Sequence, residues 1–107
     1  VLLDHCLPRR LRDFLQPHSI FTTAECGWQR LRNGNLLQQA STQFDVFLTI
    51  DKRLKHEQNL ATLPIVVIVV MANTNRLVDL LPFVPEILQA ISTIQPRALI
   101  EIHQQKL

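Results

Sequence analysis

Phe44 to Lys52, FDVFLTIDK, restricts the architecture of this chain more than any other stretch. Val46, Phe47, Leu48 and Ile50 follow one another almost without a break, and Thr49 among them is β-branched. A run this short and this apolar, with no polar alternation, predicts a strand over Val46 to Ile50 that is covered on both faces. Asp51 stands at its carboxyl end, at the rim of the sheet, which is where open α/β sheets bind their ligands. The start of the chain repeats the design: Val1, Leu2 and Leu3 are apolar, and Asp4 follows.

The remaining pattern alternates strands with helices. Leu7 to Leu15 predicts a helix with Pro8 in its first turn, where a missing N–H does no harm, and Pro17 ends it. Ser19 to Thr23 is a short second strand. Ala24 to Gly34 is irregular, and a helix follows from about Asn35 to Gln43, with Asn33 as its expected N-cap. Lys52 to Thr62 is polar, with room for a helical turn or two. Ile65 to Val70 is the strand most buried by composition. Asn73, Thr74 and Asn75 then offer helix caps. The next helix carries Leu77, Leu80 and Leu81; Pro82 and Pro85 break or re-nucleate it before Ile87, Leu88 and Ile91. Ala98 to Ile102, bounded by Pro96, is the last strand. The expectation is a three-layer α/β/α sandwich over residues 1–107, a single domain, with a mostly parallel sheet of four to five strands.

At 107 residues and 47% hydrophobic content the chain can bury a proper core, and 19% charged residues without a low-complexity run argue against disorder. The longest apolar run, Ile65 to Ala72, falls short of the ~20 residues a membrane-spanning helix needs. The chain opens on Val1 with no basic-then-apolar signal segment, and two cysteines make no disulfide framework. A cytoplasmic protein without membrane contact is therefore expected.

In a parallel sheet all the strand ends meet at one rim. Asp4 follows the first strand, Thr23 and Glu25 the second, Asp51 the third and Asn73 the fourth. In the common doubly wound order the first and third strands are neighbours, ~4.8 Å apart. Two carboxylates there suit one hard cation, since magnesium takes one or two carboxylates, several waters and a phosphate. Of the eleven Lys and Arg residues, Arg9, Arg10, Arg12, Arg30, Arg32, Lys52, Arg53 and Lys55 fall in segments that follow a strand's carboxyl end, and Arg76 joins them. Acids at the centre of a rim with cations around them suit a polyanion whose phosphate bridges a metal. Arg9, Arg30, Arg32, Lys52, Arg53 and Asn73 are the candidate substrate-binding residues. Without a ligand, the same aspartates cap helices or accept loop N–H groups.

These residues together resemble the PIN-like domains, the PilT N-terminus type of nuclease, in a short bacterial form. LLDHCLP at 2–8, ECGWQRLRNGNLL at 25–37, FDVFLTIDK at 44–52, QNLATLPIVVIVV at 58–70 and ANTNRLVDLLPFVPEIL at 72–88 carry the likeness. It implies a parallel sandwich and a cluster of acids at the carboxyl edge that binds Mg²⁺ or Mn²⁺. It further implies hydrolysis of RNA phosphodiesters, in many members by a toxin paired with an antitoxin protein. Asp4 matches the first-strand aspartate and Asp51 the aspartate of the T-x-D strand end, which makes both catalytic and both metal ligands. Glu25 is the candidate third ligand. Relatives of this type usually read Asp-Glu where this chain has Asp4-His5, and often carry an acid where it has Asn35. Hence the alternative of a non-catalytic relative that binds RNA or a protein. A receiver-type phosphoacceptor also places acids after its first strand and an aspartate after its third, but it needs a lysine after the last strand, where His103 stands and Lys106 comes late.

Other residues carry more than one reading. His5 is a general base, a ligand in place of a carboxylate, or an exposed neighbour of the site. Cys6 and Cys26 fit no usual zinc spacing and read as small buried thiols. Trp28, among Gln29, Arg30 and Arg32, stacks a base or closes the core. Asp45, at the entry end of its strand and opposite the site, is structural or solvated. The apolar residues around Phe83 are core, or an interface for a homodimer or an antitoxin.

Overall fold

The computed structural model describes residues 1–59, 62–93 and 98–103. Pro96, expected to bound the last strand, and Leu60 and Ala61 of the polar stretch lie outside them. Five strands, β1 (Leu2–Leu3), β2 (Phe21–Thr22), β3 (Val46–Thr49), β4 (Val66–Val70) and β5 (Leu99–Ile102), form one sheet in the order β2-β1-β3-β4-β5. Every pairing is parallel. The α/β class and the adjacency of the first and third strands are as expected. The paired strands are each shorter than the apolar runs that announce them.

Alternation along each strand divides the apolar side chains between two cores. Leu3, Leu48, Ile68 and Ile102 face one side, and Leu2, Phe47, Val67 and Val69 the other. Helices cover both sides, because a parallel sheet leaves no face for water. On the first side lie a 3-10 helix (Arg9–Phe14) and three segments after β4: α3 (Leu77–Leu80), a 3-10 turn (Leu81–Phe83) and α4 (Val84–Ser92). On the second lie α1 (Asn33–Ser41) and α2 (Leu54–Glu57), through Leu36, Leu37, Ala40 and Leu54.

The segment from Leu7 to Leu15 is not an α-helix. Its turns close one residue tighter, with Leu11 N–H on Pro8 O and Leu15 N–H on Arg12 O, each at 3.1 Å. Pro8 and Pro17 leave space for little more than a short tight helix. α1 starts two residues ahead of its expected start, and Arg32, not Asn33, holds the cap position, without a side-chain cap bond. Pro82 and Pro85 do break and restart the helix after β4, but the tight turn between them rotates Phe83 inward. It is only 4% exposed, which removes it as an interface residue. Among the described residues, no helix is long and apolar enough to cross a membrane.

The strand order and the two faces together set the hand of each crossover. The link from β1 to β2 moves one way along the sheet with its helix on the first face. The links from β2 to β3 and from β3 to β4 move the other way with helices on the second face. These three share one hand. The link from β4 to β5 moves the second way but carries α3 and α4 on the first face, so its hand is opposite. Crossovers are right-handed in about 98% of cases. This exception has a consequence at the rim. It lays the segment after β4 beside the segment after β1, where the Asn75 side-chain amide donates to Cys6 O at 3.1 Å.

Candidate functional site

Three polar side chains among the described residues are buried, and all three belong to one row across the sheet. They are Asp4, Thr23 and Thr49, at 3%, 1% and 0% exposure. Leu3 pairs with Thr22 on one side and Leu48 on the other, so one step further Asp4 lies between Thr23 and Thr49. The backbone agrees: Asp4 N–H donates to Leu48 O at 2.9 Å and Thr23 N–H to Leu3 O at 3.3 Å. The row is the carboxyl end of β2, β1 and β3. It includes the point between β1 and β3 where the strand order reverses, the position at which doubly wound sheets bind ligands.

The Thr49 hydroxyl organises this row. It donates to Asp4 Oδ2 at 2.7 Å and accepts the Asp51 N–H at 3.0 Å, so it ties the two strand ends together. Asp4 Oδ1 accepts the His5 N–H at 2.8 Å and lies 3.0 Å from His5 Nδ1. The Cys6 thiol is 3.8 Å from the same Thr49 hydroxyl, and burial pushes its pKa up. Thr23 differs from its neighbours: its Oγ1 is buried with no hydrogen-bond partner.

Asp51, half-buried, is met by an arginine fork. Arg53 Nε donates to Oδ1 and Nη2 to Oδ2, both at 3.0 Å, and the Arg53 N–H adds a third bond to Oδ1 at 3.0 Å. Asn33 reaches Oδ2 from the start of α1 at 3.4 Å and bonds Glu57 at the same distance. The side-chain bonds from Arg53 hold the Asp51 carboxyl below its ordinary range, so it is ionised at neutral pH.

Glu25 is engaged elsewhere. Its carboxylate accepts the Thr22 N–H at 2.9 Å and Arg12 Nη1 at 3.0 Å, while Glu25 N–H donates to Thr22 Oγ1 at 3.1 Å. The reciprocal Thr22–Glu25 pair is a capping box closing a tight turn. Gly27, with φ of 75°, then lets the chain fold back so that Trp28 N–H reaches Thr23 O at 2.9 Å. Among the described residues, no three His, Cys, Asp or Glu side chains stand close enough to hold a metal. The set Asp4, Glu25 and Asp51 is therefore not assembled, and Cys6, Cys26 and His5 build no zinc site; both cysteines are free.

The expected basic residues divide. Arg9, Arg30, Arg32, Lys52 and Arg53 are exposed, and Arg9 lines a pocket of about 390 Å³ beside Asp4, with His5, Thr22, Thr23 and Glu25 also in its wall. Arg12, Lys55 and Arg76 are held by Glu25, Glu101 and Asp79. Asn73 is exposed and lines a separate pocket of about 300 Å³ with Met71, Thr74 and Val78. Trp28 is half-buried, its ring edge-on to Phe44 at 6.1 Å, a core-closing position. Asp45 lies at the opposite end of the sheet, where its backbone O accepts the Val66 N–H at 3.2 Å.

Thr49 and Asn33 carry more of the site than their sequence roles suggested. The signal for Thr49 was a lone polar residue inside an apolar strand; for Asn33 the contact spans 18 residues and has no local signature. No family model, curated protein or solved structure matches the chain.

Proposed function

We propose that this chain is a metal-dependent phosphodiesterase acting on RNA, with Mg²⁺ or Mn²⁺ held between Asp4 and Asp51. The supporting observation is the placement of buried polarity. A fold that buries only three polar side chains among its described residues puts all of them in one row, with Asp51 two residues beyond it. Burying a carboxylate is costly unless it is paired and hydrogen-bonded, and the bonds from the His5 N–H and the Thr49 hydroxyl meet that cost for Asp4.

The donor set suits such a cation. Two carboxylates and a hydroxyl are hard oxygen donors, and magnesium fills its remaining positions with water and substrate phosphate. A bound cation of this kind activates water and neutralises charge on a phosphoryl oxygen. The rest falls to the chain. Thr49 fixes the position of Asp4 and of the Asp51 backbone. Arg53 holds the ionised Asp51 carboxylate in place until a cation replaces it. Beside the bonds from Thr49 and Asn33, the two carboxylates meet the side chains of His5 and Arg53, which are 67% and 75% exposed, so these two are free to turn outward. Arg9, Arg30, Arg32 and Lys52 then meet the polyanion. Cleavage of a single-stranded RNA by the intact chain in Mg²⁺ or Mn²⁺, lost in EDTA and in Asp4→Asn and Asp51→Asn, is the expected result; no cleavage with either ion removes the enzymatic reading.

A second reading has its own support. Each carboxylate already has donors from within the chain, and among the described residues no third acid completes the cluster. A non-catalytic relative that binds RNA through the basic rim predicts salt-dependent binding that survives loss of both aspartates. An antitoxin, as the resemblance implies, or a second copy would meet exposed apolar side chains such as Phe14, Phe21, Leu31 and Val78. The receiver-type reading shares the strand order; labelling of Asp51 by acetyl phosphate tests it.

A further inference from the structure

Four ion pairs among the described residues join a Lys or Arg to an acid, and three use acids outside the Asp4–Asp51 pair: Arg12 with Glu25, Lys55 with Glu101 and Arg76 with Asp79. The fourth, Arg53 with Asp51, falls on a carboxylate of the proposed cation site. An ionised carboxylate has about four lone-pair sites, and those of Asp51 are all taken. Oδ1 accepts the Arg53 N–H and Nε, and Oδ2 accepts Arg53 Nη2 and Asn33. A cation therefore reaches Asp51 only by displacing a donor, and the guanidinium is the donor that can leave. The Arg53 backbone is fixed, since its carbonyl accepts the His56 and Glu57 N–H groups, both at 2.9 Å. Its side chain is 75% exposed and swings out by side-chain rotation alone.

We infer that the Arg53 guanidinium is exchanged between Asp51 and a phosphate of the bound polyanion, so that polyanion binding uncovers the cation site and the two ligands bind cooperatively. This exchange presupposes the reading of Asp4 and Asp51 as a cation site. A guanidinium fork meets phosphate and carboxylate with the same two parallel bonds, so a phosphate offers Arg53 an equivalent partner. Lys52 precedes Arg53, and Arg32 precedes Asn33, the other side chain on Asp51; both are exposed and add positive charge in the segments that flank the pair. Without a polyanion, the guanidinium shields Asp51 and cation binding has to work against it. With a polyanion, the displacement costs little. By linkage, the cation strengthens polyanion binding by the same factor. The worth of a well-formed exposed ion pair sets that factor at about two- to fivefold.

The test is a Mg²⁺ titration of the isotopically labelled full chain, with and without a short single-stranded oligothymidylate as the polyanion. The amides of residues 4–5 and 49–53 report Mg²⁺ binding. Without the oligonucleotide, Arg53→Ala binds Mg²⁺ about two- to fivefold tighter than the parent. The oligonucleotide lowers the Mg²⁺ midpoint of the parent by about two- to fivefold more than that of Arg53→Ala, in which only the direct attraction between phosphate and cation remains. An equal oligonucleotide effect in the two proteins, or a Mg²⁺ affinity in Arg53→Ala no tighter than in the parent, overturns the exchange. Mg²⁺ binding that is uncoupled in this way but lost in Asp4→Asn removes the exchange and keeps the cation site. No Mg²⁺ binding at these residues in either protein removes the cation site and the exchange with it.

Discussion

Replacing threonine by valine at the two positions that flank Asp4 in the same row should have effects of opposite sign. At Thr49 the change removes a hydroxyl that donates to a buried carboxylate at 2.7 Å and accepts the Asp51 N–H at 3.0 Å. A hydrogen bond to a charged group contributes about 1.5–3 kcal/mol, and the orphaned N–H adds about 1 kcal/mol, so Thr49→Val costs about 2–4 kcal/mol. The shape is conserved and no cavity opens, which keeps the loss electrostatic in origin. At Thr23 the same change deletes a hydroxyl with no partner and leaves stability unchanged or raises it by about 1–3 kcal/mol. Urea unfolding followed by the fluorescence of Trp28, the one tryptophan, reads both. With a slope of about 1.5 kcal/mol per molar, Thr49→Val lowers the midpoint by about 2 M. Thr49→Ser restores most of it. Equal shifts in one direction for the two valine variants, or a Thr49→Val midpoint indistinguishable from the parent, would refute the assignment of these bonds.

Other outcomes follow from the same geometry. Arg53→Ala frees both oxygens of Asp51 from the guanidinium, so Mn²⁺ binding tightens while RNA binding weakens; calorimetry and a filter-binding assay separate the two. Phe47→Ala, at a fully buried side chain on β3, costs about 3–5 kcal/mol in the same urea assay. The pKa is lowered at Asp51 chiefly by the Arg53 side chain, at Glu25 by the Thr22 N–H and at Asp79 by the Thr74 hydroxyl. Their stabilising contribution is therefore present above the ordinary values of 3.8 and 4.5 and is lost as pH falls through the lower folded values. A thermal midpoint flat from about pH 5 to 7 and declining below it is expected; a rise on acidification contradicts these pairings. Burial raises the Cys6 thiol, so alkylation at neutral pH is slower than for a free thiol.

The strands and their class were legible because a strand covered on both faces must be written in apolar residues, and FDVFLTIDK and IVVIVV are. The two aspartates were legible for the complementary reason that a charge has to sit where such a run stops. Register was not legible: nothing local says that Thr23, Asp4 and Thr49 align, because alignment depends on which residues pair across strands. The diversion of Glu25 did have a signal, the pattern Thr22-x-x-Glu25, which forms a reciprocal cap. Which of its two readings Phe83 takes was not legible, because a tight turn between two prolines changes the helical phase, so the face it occupies does not follow from the preceding turns. The opposite hand of the last crossover had no signature in composition or spacing.

A divalent cation held jointly by Asp4 and Asp51 has a local paramagnetic signature when that cation is Mn²⁺. Titrating Mn²⁺ into the isotopically labelled chain and following the loss of amide signals measures this directly. Broadening that begins at residues 4–5 and 49–53 and disappears in Asp4→Asn and in Asp51→Asn is the expected result. Uniform broadening over the surface, or a pattern untouched by either substitution, contradicts it.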